Sequence, residues 1–157
     1  MEGRFVASAI EDYGEDYAMS TRILIADDDA TIRLLLRRLL EKHPSWQACG
    51  DASNGAEAIQ KINHLDPDVV VMDLSMPIMT GLQAASEIVK THPRLPMLLI
   101  SVQEVSKQLA LEARRLGFSG AVTKSSGAEV VKGIEALTRY ETFFCADDQS
   151  ASPLYPG

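Results

Sequence analysis

Three short, uninterrupted apolar runs narrow the folds open to this chain: Ile23-Leu24-Ile25-Ala26, Val69-Val70-Val71-Met72 and Met97-Leu98-Leu99-Ile100. Four consecutive apolar residues cannot send alternate side chains into water. Each run therefore reads as a strand buried on both faces, as in a parallel sheet covered by helices on either side. Between the runs the period changes to that of a helix. Ile32, Leu35, Leu36 and Leu39 mark one apolar face, Ala56, Ile59 and Ile62 a second, and Leu82, Ala85, Ile88 and Val89 a third. Leu109, Ala113 and Leu116 mark a fourth, and Val130, Val131, Ile134 and Leu137 a fifth. Two weaker strand candidates, Trp46–Ala52 and Gly120–Lys124, complete the series. Breakers follow the helical stretches at His43-Pro44, Asp66-Pro67 and His92-Pro93, and Gly117 is placed as a left-handed cap. Strand and helix thus alternate five times, with right-handed crossovers expected throughout. The fold class is a doubly wound α/β domain, (βα)5, with a five-stranded parallel sheet.

A chain of 157 residues has room for one such domain, assigned to 21–140. Residues 1–20 are acidic, show no helical or strand periodicity, and are expected to form a disordered extension; residues 141–157 are expected to be a flexible tail. The charge supports this division. Five acids against Arg4 in residues 1–20, with three acids and no base in residues 140–157, account for the whole net charge of −7. Residues 21–139 carry 14 acids and 14 bases, so no basic field for a phosphate backbone exists and nucleic acid is excluded as a partner. The two cysteines, Cys49 and Cys145, belong to no CxxC or histidine cluster, which suits a reducing compartment. The acidic N-terminus is not a signal peptide, and no segment approaches the ~18 apolar residues a membrane span needs. The expectation is a cytoplasmic protein without membrane insertion.

Ligands of an open parallel sheet bind beyond the carboxyl ends of its strands. Here those ends are Asp27-Asp28 after the first strand, Asp73 after the third, Ser101 after the fourth and Lys124 after the fifth. Three carboxylates gathered at one edge repel one another and either raise a pKa or recruit a hard cation, for which magnesium is the natural candidate. A carboxylate nucleophile, a metal, a fixed ammonium and a hydroxyl are the parts needed to move a phosphoryl group onto an aspartate.

The segments ILIADDDATIR (23–33), VVVMDLSMPIMTG (69–81), LLIS (98–101) and AVTK (121–124) together resemble the response regulator receiver domain of two-component signalling. The resemblance covers 21–139 and implies a flavodoxin-like sheet of order 2-1-3-4-5. It implies that Asp73 is the phosphoacceptor, that Asp28 and the backbone carbonyl of Ser75 bind magnesium with Asp73, and that Asp27 acts mainly through a bound water. Ser101 would hydrogen-bond the phosphoryl group and Lys124 would pair with it. The donor would be a histidine kinase or a histidine phosphotransfer protein, and the output contact with a downstream protein of unknown identity; such a protein is not an enzyme. DASNGAEAI at 51–59 and RYETFF at 139–144 resemble the NarL/FixJ-type subfamily, and no effector domain follows within this sequence. A phosphorylation-independent interaction module is the alternative reading. An aspartyl-phosphate hydrolase is disfavoured because Asp73-Leu74-Ser75 lacks the second acid two positions on.

Asp29 is expected only to cap the first helix, and His43, His64 and His92 only to sit at helix ends. One departure from the family matters. Receivers commonly carry an aromatic residue three positions before the lysine, and this chain has Ala121. The expectation is a shallow recess at Ala121 open to a partner's side chain, with signalling routed through Val102–Ser106 and the fourth helix.

Overall fold

A computed structural model of the chain describes residues 20–144. Strands β1 (Thr21–Ala26), β2 (Trp46–Ala52), β3 (Val69–Asp73), β4 (Met97–Ser101) and β5 (Gly120–Thr123) alternate with helices α1 (Ala30–Leu40), α2 (Gly55–Leu65), α3 (Gly81–Thr91), α4 (Lys107–Arg115) and α5 (Gly127–Thr138). A short β6 (Phe143–Phe144) follows α5. All pairings are parallel, and the order is β2-β1-β3-β4-β5-β6. The doubly wound expectation and the order of the first five strands hold. The five-stranded sheet does not, because β6 adds a sixth strand at the β5 edge. Residues 141–144, expected to belong to a flexible tail, are part of the domain; residues 1–19 and 145–157 lie outside the described residues.

The continuous apolar runs are explained by two cores, one on each side of the sheet. Successive strand side chains point to opposite faces. Ile23 and Ile25 of β1, Val69 and Val71 of β3, and Leu98 and Ile100 of β4 pack with Leu36 and Leu40 of α1 and Ile134 and Leu137 of α5. Their alternates Leu24, Val70, Met72, Met97 and Leu99 pack with Ala58, Ile62, Ala84, Ala85, Ile88, Ala110 and Ala113 of α2, α3 and α4. Every central-strand residue therefore loses its water, at roughly 1.5–3 kcal/mol for each large aliphatic side chain.

Helix ends follow the local chemistry. Asp29, Asn54, Thr80, Ser106 and Ser126 cap the five helices through side-chain oxygens, and Thr80 with Gln83 forms a reciprocal capping box. Gly117 after α4 has φ +112°, the left-handed turn expected there. Trp46 and Phe118 are buried, and His43 stacks on Trp46 with ring centroids 4.0 Å apart.

At the new edge, the expected recess over Ala121 is filled. Ala121 is fully buried and stands in register with Phe144 of β6, which is itself only 1% exposed. Both belong to the core beneath α4. Gly120 makes the approach of β6 possible, since a Cβ there would lie 2.5 Å from the Phe143 carbonyl oxygen. Gly120→Ala should therefore displace β6 and cost about 1–3 kcal/mol. The check is a lower thermal midpoint together with faster amide exchange at Phe143 and Phe144.

Candidate functional site

The chain turns sharply where β1 ends, and that turn sets the first two carboxylates. Asp29 caps α1, accepting the Thr31 and Ile32 N–H groups at 2.8 and 3.3 Å. Its own N–H donates to Asp27 Oδ1 at 2.9 Å. The Arg33 guanidinium donates to the Asp27 carbonyl oxygen at 2.6 Å and reaches Asp51 Oδ2 at 3.2 Å, tying α1 to both β1 and β2. Asp27 is completely buried by this arrangement, while Asp28 is exposed.

Asp73 closes β3 and is 3% exposed. The turn after it is fixed by backbone bonds from Leu74 N–H to the Ile100 carbonyl (2.9 Å) and from Gly81 N–H to the Leu74 carbonyl (3.1 Å). Gly81 has to be glycine, because a Cβ would overlap the Asp73 carbonyl oxygen. Lys124, just past β5, spans the two buried acids, with Nζ 2.7 Å from Asp27 Oδ2 and 3.2 Å from Asp73 Oδ1. Ser101, at the end of β4, is 2% exposed, and its Oγ accepts the Gln103 N–H at 3.1 Å.

All the side chains singled out in the sequence converge on this edge. Asp28, Asp73, Ser75, Ser101 and Lys124 line a cavity of about 410 Å³ together with Val102 and Gln103. Asp27 lies behind them with both carboxylate oxygens engaged, one by Asp29 and one by Lys124. Arg33 escaped the sequence reading; an arginine between Ile32 and the buried Leu36 was its only signal.

One oxygen from each of Asp27, Asp28 and Asp73 falls within 4.8 Å of the others. This all-oxygen, carboxylate-rich donor set opening on a water-accessible cavity fits a hard divalent cation such as magnesium, which takes one or two carboxylates and keeps its remaining positions for water or phosphate oxygens. The electrostatics agree with such a site. Burial, and then the charge of Asp27, push the Asp73 carboxyl above the usual carboxylate range, and Lys124 and the Ser75 N–H only partly offset this. Burial opposes the charge on Lys124, but Asp27 and Asp73 outweigh it and raise the ammonium pKa.

A raised carboxyl pKa means the folded state holds its proton more tightly than the unfolded state, so stability falls as pH rises through that window. Asp73→Asn should therefore raise the thermal midpoint at neutral pH by roughly 2–4 °C, the shift ~1 kcal/mol gives in a chain of this size. The gain should shrink as the pH drops below the carboxylate range, which thermal melts across pH would show. The raised pKa of Lys124 acts with the same sign in a higher window: its stabilisation is fully present at neutral pH and is lost as pH rises through that elevated pKa.

Comparison with known proteins bears on the same residues. The response regulator receiver domain model matches residues 23–135. The chemotaxis protein CheY of Thermotoga maritima is 35% identical over 121 residues, covering 77% of this chain and 98% of that protein. A protein-glutamate methylesterase/protein-glutamine glutaminase of Methanosarcina mazei is 42% identical over 116 residues, but the chain spans only 32% of its length. Among solved structures, a two-component response regulator of the LuxR family from Aurantimonas sp. SI85-9A1 superposes with a TM-score of 0.77 at 33% identity, covering 82% of this chain and 91% of that one. No helix among the described residues is long and apolar enough to cross a membrane. A buried carboxylate bridged to a lysine, at the edge of a 2-1-3-4-5 parallel core matched along its length, makes the chain a member of the response regulator receiver domain family.

Proposed function

We propose that this chain accepts a phosphoryl group on Asp73 from the phosphohistidine of a histidine kinase or histidine phosphotransfer protein, and signals in the cytoplasm through protein contacts rather than by catalysis on a substrate. One observation carries the reading: Asp27, Asp28 and Asp73 share a site with Lys124 lodged between the two buried acids. An Asp73 carboxylate oxygen attacks phosphorus, the P–N bond breaks, and its electron pair stays on the donor imidazole. Lys124 exchanges Asp73 Oδ1 for a phosphoryl oxygen, and the Ser101 hydroxyl donates to another, both countering charge on the equatorial oxygens. Asp28, Asp73 and the Ser75 carbonyl would hold magnesium directly, with Asp27 acting through a bound water and by fixing Lys124. The metal supplies neutralisation of the phosphoryl and carboxylate charge when bound.

The finer assignment to a NarL/FixJ-like receiver rests on DASNGAEAI at 51–59 and on the likeness to the LuxR-family regulator. Signalling by protein contacts of the receiver domain itself is supported by the match along nearly the whole of a CheY chain. The methylesterase relatives share only about a third of their length with this chain, and their activity is not part of the proposal.

Intact-mass measurement after incubation with acetyl phosphate and magnesium tests the reading. The wild type should gain one phosphoryl group; Asp73→Asn, or chelation of the metal, should abolish the gain. Asp28→Ala should raise the magnesium requirement by about 10–100-fold. Phosphorylation that persists in Asp73→Asn would sink the assignment, and a wild type that never gains mass would favour an interaction module independent of phosphate.

A further inference from the structure

The helix that follows the Ser101 loop is thinly anchored. Only Ala110 and Ala113 of α4 are buried, whereas α5 buries Val130, Ile134 and Leu137 among others. Where α4 sits therefore depends on what holds its two ends. At the N-terminal end, Ser106 caps the helix, and the loop before it leads back to Gln103 and Val102 in the wall of the phosphoacceptor cavity. The Gln103 N–H rests on the Ser101 hydroxyl. At the C-terminal end, the Arg114 guanidinium lies 4.4 Å over the ring centroid of Phe144. Such a contact contributes about 0.5–2 kcal/mol depending on its exposure.

Phe144 is an unusual residue to find 1% exposed, because β6 is two residues long and lies at the sheet edge. The domain is shaped to take it. Ala121 stands opposite Phe144 with no side chain beyond Cβ, Gly120 lets the Phe143 carbonyl approach, and at Gly133 a Cβ would already touch the Phe143 ring at 3.4 Å. Ala121 thus leaves a slot on the α4 side of the sheet for the Phe144 ring, and Gly133 leaves room on the α5 side for the Phe143 ring. A two-residue strand is an element that opens at low free energy.

We infer that Phe144 is a positioning residue for the phosphoacceptor site: its ring, borne by β6 and stacked under Arg114, holds α4, and α4 holds the 102–106 loop in which Gln103 occupies the Ser101 hydroxyl. The inference rests on the proposed role of Asp73 and adds to it. A phosphoryl group that accepts from the Ser101 hydroxyl draws Oγ toward itself and so pulls on the Gln103 N–H bonded to that oxygen, and the loop and the start of α4 follow only against the grip of Phe144. Coupling of this kind is reciprocal. Removing the ring eases occupation of the site, and occupying the site loosens β6.

The test is the affinity of the full chain for beryllofluoride with magnesium, measured by titration calorimetry. Phe144→Ala should bind about fivefold tighter than wild type. The double variant Phe144→Ala with Ala121→Phe returns an aromatic ring to the same slot from the opposite strand and should come back to within about twofold of wild type. Arg114→Gln, at an exposed position, guards against loss of fold and should shift affinity in the same direction as Phe144→Ala. In the wild type, beryllofluoride should speed amide exchange at 118–123 and 143–144. Unchanged affinity in both single variants, failure of the double variant to restore it, or unchanged exchange at those segments would overturn the inference and leave the phosphoacceptor reading standing. A wild type that does not bind beryllofluoride would overturn both.

Discussion

The ammonium of Lys124 between Asp27 and Asp73 is the interaction on which the rest of this edge depends. Two carboxylates buried to 0% and 3% exposure side by side are costly to ionise together without a cation between them. Lys124 supplies it from β5, so the outer part of the sheet is coupled to β1 and β3 by charge as well as by backbone hydrogen bonds. The cost of placing acids there is high, and the fold bears it through hydrogen bonds as well: Asp29 and Lys124 satisfy both Asp27 oxygens, and among the described residues no buried side-chain polar atom lacks a partner.

That arrangement leaves the site neutralised only in part. One lysine faces two buried acids, with Asp28 exposed at the mouth, and the Asp73 carboxyl remains above its ordinary range. Any occupant that brings positive charge lowers the free energy of the folded chain, and a phosphoryl group that converts the Asp73 carboxylate into an acyl phosphate, a mixed anhydride, changes which partners Lys124 prefers. The same imbalance that makes Asp73 costly in the folded state makes its environment responsive to a metal and a phosphoryl group.

Much of this was legible in the sequence because the governing features are local. Apolar runs of four residues bounded by helical segments read as doubly covered strands, and the residues that end parallel strands gather at one edge, so Asp27, Asp28, Asp73, Ser101 and Lys124 are grouped by the sequence pattern. What escaped has a common cause. Phe143 and Phe144 have no period to read over two residues, and their place in the sheet is decided by Gly120, Ala121 and Gly133, which are small because of a contact distant in sequence. Ala121 read alone implied an empty recess; with Phe144 opposite, it is one half of a packed pair. Arg33 was missed for a related reason: its target is a backbone carbonyl, which carries no signature in the sequence.

Strand alternation carries the argument one step further. Asp27 continues the series Ile23 and Ile25, Asp73 continues Val69 and Val71, and Lys124 follows Val122; all these apolar residues face α1 and α5. Ser101 instead continues Met97 and Leu99, which face α2, α3 and α4. The charged triad therefore belongs to the side of the sheet packed by Leu36, Leu40, Ile134 and Leu137, branched side chains that interdigitate and resist sliding. The hydroxyl belongs to the side lined by Ala84, Ala85, Ala110 and Ala113 with Met72, Met76 and Met97, where smooth helix faces meet adaptable side chains. A charged centre and a hydroxyl thus meet at one edge although they are rooted in opposite layers, and it is the layer of the hydroxyl that Phe144 closes off.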